Sequence, residues 1–194
     1  MKLTSDVIKQ LIVEKYNLPL WYLKEKFLSR TSKYNTESNV VRTFFALAEF
    51  KVTSNKEDTE VLSIELIGNN INILQVHCMN NDLENVQQTF DKALAEYTNG
   101  VTRQDLLTYC AENALLSLSQ DVLSWCISEG VLLGNKLYFV FCVSSRRYSV
   151  EHIIEVAKLA LEFGASKEAL LQALTAEFKK PKLKKIIDGV ALLR

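Results

Sequence analysis

Apolar positions along this chain fall into two periods, and the switches between them mark its elements. After Ser5-Asp6, residues Val7, Ile8, Leu11 and Ile12 recur at helical spacing, so the chain is expected to open on a helix that Asn17-Leu18-Pro19 interrupts. Pro19 suits the first turn of a second helix carrying Leu20, Leu23 and Phe27 on one side. A polar connector, Ser29–Asn39, leads into alternation of period two: Phe44, Ala46, Ala48, Phe50 and Val52, then Leu62, Ile64 and Leu66. With Gly68-Asn69-Asn70 as a turn and Ile71–Cys78 as the return, this predicts a three-stranded meander, with a helical stripe of Val41, Phe44, Phe45 and Ala48 as the alternative for its first strand. Helical spacing resumes at Leu83–Tyr97, capped by Asn81-Asp82, with Val86, Phe90, Ala93 and Leu94 as its inner stripe.

Two shorter helices are expected next. Leu106, Leu107, Cys110 and Ala111 line one, while Val122, Leu123, Cys126 and Ile127 line the other, with Ser119 as its N-cap and Gly130 at its end. Val131–Leu133 and Leu137–Val143 then read as a strand pair joined over Gly134-Asn135, a two-residue hairpin signal. Helix, turn, helix and short hairpin together resemble a winged-helix module. Beyond it, three helical stripes follow: Val150 to Leu161 closed by Gly164, Leu170 to Phe178, and Leu183 to Val190 after Pro181. Because Leu137–Val143 is apolar at nearly every position, both its faces should be covered, and these last helices are the expected cover. The predicted fold class is α+β: N-terminal helices with a small antiparallel β-meander (1–80), a winged-helix-like module (81–148), and a C-terminal helical segment packing on the wing (149–194).

Composition fits a globular chain: 194 residues, 48% hydrophobic and 24% charged, with six Gly and two Pro. The longest apolar run, Tyr138–Val143, is far short of the ~20 residues a bilayer span requires. No extended apolar region follows Lys2, so no signal peptide is expected and a cytoplasmic protein is the reading. Cys78, Cys110, Cys126 and Cys142 are spaced by 32, 16 and 16 residues, without the close pairing a finger-type zinc site needs. They read as reduced thiols on apolar faces. His77 and Cys78, as neighbours on a strand, would point apart, and His152 has no partner nearby in sequence. No metal ligand and no cofactor is called for.

Charge narrows the function. Net charge is zero overall, yet residues 39–99 carry four Lys/Arg against nine Asp/Glu, while 100–148 balance at four each. The second helix of the module, which a DNA-binding winged helix would place in the major groove, has Asp121 and Glu129 and no Lys or Arg. Candidate anion or nucleic-acid contacts are Arg103, Lys136, Arg146 and Arg147 around the module, and Lys179, Lys180, Lys182, Lys184 and Lys185 near the C-terminus. Trp21 and Trp125 are the candidate protein-interface residues. None of the nucleophile-elbow, phosphate-loop, zincin or dinucleotide-binding motifs is present, so there are no catalytic candidates and no enzyme is expected. The expectation is therefore a non-catalytic protein-binding adaptor or regulatory subunit, with a nucleic-acid-binding regulator as the alternative. A protein partner is favoured over nucleic acid, no membrane is implied, and a homo-oligomer is left open.

Overall fold

A computed structural model describes residues 4–18, 30–31, 39–44, 49–55, 60–96 and 101–191. Helix α1, Ser5–Tyr16, is capped by Thr4, whose hydroxyl accepts from the Val7 amide, and it closes on Asn17 at φ 47°, a left-handed position that Asn tolerates. The expected second helix over Leu20–Phe27, with Trp21, lies outside the described residues. Four antiparallel strands follow in the order β1-β2-β3-β4: Arg30–Thr31, Asn39–Phe44, Glu49–Ser54 and Val61–Ile67. The run expected as one strand from Phe44 to Val52 is instead divided between β2 and β3, which pair with each other through Thr43↔Phe50 and Phe44↔Glu49. Period-two patterning continues on both sides of such a reversal, so alternation alone does not reveal it. Strand β4 falls where Leu62, Ile64 and Leu66 placed it, with Val52 opposite Ile64 and Phe50 opposite Leu66, but Leu62 is skipped at a register shift and stays exposed.

Phe50, Val52 and Ile64 close a small core with Ile8, Ile12 and Leu18. The Tyr16 ring lies 5.1 Å from that of Phe50, and its hydroxyl donates to the Ile64 carbonyl, as does the Lys15 ammonium. The end of α1 thereby ties down a carbonyl of the edge strand β4.

The return strand expected at Ile71–Cys78 is a helix. Helix α2, Asn70–Met79, is capped by Asn69, whose side-chain oxygen accepts from the Asn72 amide at 3.0 Å. Its position explains the misreading: Val76 and Met79 belong to the sheet-side core, whereas Leu74 and Cys78 belong to a second, larger core of helices. A helix buried on two sides is apolar nearly all round and loses the one-sided stripe that would announce it. His77 and Cys78 are accordingly helical neighbours, not residues on opposite faces of a strand.

The larger core is built by α3 (Leu83–Glu96), α4 (Arg103–Leu116), α5 (Gln120–Ser128), α6 (Leu137–Arg147), α7 (Val150–Glu162), α8 (Lys167–Glu177) and α9 (Lys180–Val190). Helix α4 starts with a reciprocal capping box between Thr102 and Asp105. Ser119 occupies the N-cap position of α5, but its hydroxyl donates to the Met79 carbonyl instead of capping. The cap comes from across the fold, where the Asn81 side-chain oxygen accepts from the Asp121 and Val122 amides at 2.9 and 3.2 Å. Asn81, at φ 56°, thus fastens the α2–α3 turn to α5.

The expected hairpin is overturned. Gly134–Lys136 forms a single 3-10 turn, and Leu137–Arg147 is helical, so no wing exists at this place. Leu137, Val140, Phe141 and Ser144 point inward at helical spacing. Aromatic and β-branched content favours a strand locally, but packing against the bundle decides the outcome. The last three helices therefore cover a helix, with α8 packed on α6 and α9 on α7. The chain is α+β and dominated by helix, and among the described residues no helix is long and apolar enough to cross a membrane.

Candidate functional site: the exposed ridge of helix α6

While one face of α6 is buried, its outer face keeps large apolar side chains in solvent. Tyr138 is 55% and Phe139 48% exposed, and Leu132, just before the 3-10 turn, is 85% exposed. A groove runs along each flank of this ridge. One, of about 320 Å³, lies between Tyr138 and the small residues Ala169, Ala173 and Ala176 of α8. The other, of about 250 Å³, is bounded by Phe139, Cys142, Val143, Arg146 and Arg147 of α6, by Tyr109, Asn113 and Leu116 of α4, and by Gln75 of α2.

The floor of the second groove is polar. Gln75, only 7% exposed, donates from Nε2 to Oδ1 of Asn113 at 2.8 Å, and Asn113 in turn donates to the Tyr109 carbonyl at 2.8 Å. Oε1 of Gln75 is buried and accepts no hydrogen bond among the described residues. Cys142 is the half-buried member of the four cysteines; Glu177 of α8 hydrogen-bonds it and raises its thiol pKa, against a smaller opposing effect of Arg146. Cys78, Cys110 and Cys126 lie in the helical core, where burial pushes the Cys78 and Cys126 thiols well up and keeps them protonated. Among the described residues, no group of three or more His, Cys, Asp or Glu side chains is placed to hold a metal ion.

No protein-family model, curated protein or solved structure matches this chain. The site therefore has to be read from its own chemistry.

The cations singled out in the sequence sit on different elements, Arg103 on α4, Lys136 in the 3-10 turn, and Arg146 and Arg147 on α6. Arg103 pairs with Glu129 and lies over the Phe90 ring, 5.7 Å from its centroid. Lys136 stands near Asp105 and Glu112, where its charge partly offsets the rise that burial imposes on the Glu112 carboxyl. Arg146 and Arg147 close the far end of α6, ten and eleven residues from Lys136 and so about 15–16 Å away along the axis. There they complement the negative end of the helix dipole.

The five C-terminal lysines gather separately on α9. Lys179 lies between the C-cap of α8 and the first turn of α9, of which it is the N-cap, and Lys180 and Lys182 fall in that first turn, where positive charge opposes the dipole, with Lys184 and Lys185 one turn on. Lys182 lies over Phe178, and Lys185 approaches Glu151 at 3.3 Å.

Trp125 is half-buried and meets Phe90 edge-on, with ring centroids 5.5 Å apart, so it serves the packing of α5 on α3. Trp21 lies outside the described residues. Neither histidine joins the ridge. His152 hydrogen-bonds the Leu116 carbonyl at 2.8 Å and stacks on Tyr148, while burial lowers the pKa of His77 beside Asp82.

Gln75, Tyr109, Asn113, Phe139 and Cys142 were not anticipated from sequence. Two of the elements that carry them, α2 and α6, read as strands there, and their shared groove exists only once both are helices.

Proposed function

We propose that this protein is a non-catalytic adaptor or regulatory subunit that engages a partner protein on the outer face of α6. The observation that carries this reading is the clustering of exposed apolar bulk. Of the four large hydrophobic residues most exposed among those described, Leu132, Tyr138 and Phe139 fall on α6 or its lead-in, and only Leu62 lies elsewhere. Large apolar side chains left in solvent beside grooves suit a contact surface, and aromatic side chains are frequent energetic centres of protein interfaces. The winged-helix resemblance is not needed for this reading and loses its hairpin.

Nucleic-acid binding is the second reading, and it draws on the lysines of α9, whose placement does nothing for that helix's own electrostatics. Against it, α5 exposes Gln120, Asp121, Ser124, Ser128 and Glu129, with no cation, and Arg103 and Lys136 already stand near carboxylates. Fluorescence anisotropy of the intact protein with pooled duplexes and single strands, at two salt concentrations, separates the two. The expected result is binding no tighter than roughly micromolar at physiological salt, falling steeply as salt rises. Nanomolar binding to one sequence that survives the higher salt would exchange the order of the two readings.

A further inference from the structure

We propose that the groove between α4 and α6 receives an acidic segment of the partner, one large apolar side chain entering the groove and carboxylates following it onto Arg146 and Arg147. The proposal rests on the reading of α6 as the contact face and names the chemistry that this face selects.

Three observations lead to it. The first is size: about 250 Å³ lies below the ~300–1,000 Å³ of sites that enclose a small molecule or cofactor, and suits a single side chain. Phe139, Leu116 and Val143 supply apolar walls for it.

The second is charge. Arg146 and Arg147 are adjacent and exposed at one end of the groove, and no carboxylate is among the residues lining it. Glu177 of α8 is turned to Cys142. An arginine at an interface offers a planar fork of donors to a carboxylate, and opposite charge at a rim sets partner choice more than affinity. The wider groove beside Tyr138 has no charged lining residue and selects nothing beyond shape.

The third is the floor. Buried acceptors in native proteins are nearly always paired, and Gln75 Oε1 is not. Its amide orientation is set by Asn113, whose Nδ2 donates to the Tyr109 carbonyl and so turns Oδ1 toward Gln75 as an acceptor. The acceptor therefore stays an acceptor, buried beneath the groove without a donor.

Cys142 in the groove wall provides the test on the intact protein. Short peptides carrying an N-terminal thiol, supplied as mixed disulfides with cysteamine, exchange with the Cys142 thiolate and release cysteamine. Under partly reducing buffer, the conjugated fraction read by intact mass reports the noncovalent fit. A Leu-Glu-Glu peptide is expected to conjugate up to about fivefold more than Leu-Gln-Gln, the scale of one exposed ion pair. Leu-Lys-Lys and Gly-Glu-Glu should both fall below it, Arg146→Gln should erase the preference for Glu, and Cys142→Ser should remove the adduct.

Equal conjugation of all four peptides overturns the proposal, as does a preference unchanged in Arg146→Gln or an adduct persisting in Cys142→Ser. A dimer in sedimentation whose formation blocks conjugation also overturns it, by placing a second copy in the groove. If a partner protein binds through Phe139 while the peptides show no charge preference, α6 remains the contact face and the acidic partner is lost.

Discussion

Phe141→Ala is expected to destabilise the protein by about 3–5 kcal/mol, the range for removing a buried aromatic side chain. Its ring is fully buried on the inner face of α6 and meets Phe178 edge-on, with centroids 6.5 Å apart. Phe139→Ala, two positions away on the exposed ridge, should change stability by no more than about 0.5 kcal/mol. The contrast matters because residues two apart share one face of a strand and lie on different faces of a helix. Urea titration of both variants checks it: a similar large loss for the two would return this segment to a strand and remove the ridge.

Leu123→Ala is expected to cost about 2–5 kcal/mol by the same measurement. Leu123 is fully buried in α5, among the helical core residues contributed by α3 and α4. Ile127, one turn later on the same stripe, is only partly buried, so its truncation to Ala should fall toward or below the lower end of that range. A loss under about 0.5 kcal/mol for Leu123→Ala would mean that α5 is not packed as described.

The helices that keep a polar side in solvent were legible in the sequence. Leu106, Leu107, Cys110 and Ala111 of α4 are all buried, as are Ile153 and Ala157 of α7, and Gly164 at φ 88° ends that helix as its position suggested. What stayed hidden was any helix whose second face is not polar. In α2 that face is covered by the sheet, where Val76 and Met79 are buried, so the run Ile71–Cys78 read as a strand. In α6 it is left bare, so Tyr138 and Phe139 fill positions where a solvated helix would carry charge. The inward spacing of Leu137, Val140, Phe141 and Ser144 is present in the sequence but is drowned by its exposed apolar neighbours. The feature that concealed the helix is thus the one that makes it a candidate interface. Arg146 and Arg147 were named as anion contacts from sequence, and the groove they border joins them to Gln75, about seventy positions earlier in the chain.

The central claim is that Phe139 stands in a protein interface. A photoreactive phenylalanine placed at position 139, with Ser124 on the exposed side of α5 as the control position, identifies what lies against the ridge. The captured protein, purified, is then titrated against the wild-type chain and against Phe139→Ser. The account predicts an adduct from position 139 and not from 124, saturable binding to the wild type, and affinity about tenfold or more weaker for the variant. Equal affinity of the two chains, or an adduct to nucleic acid at position 139, would contradict it.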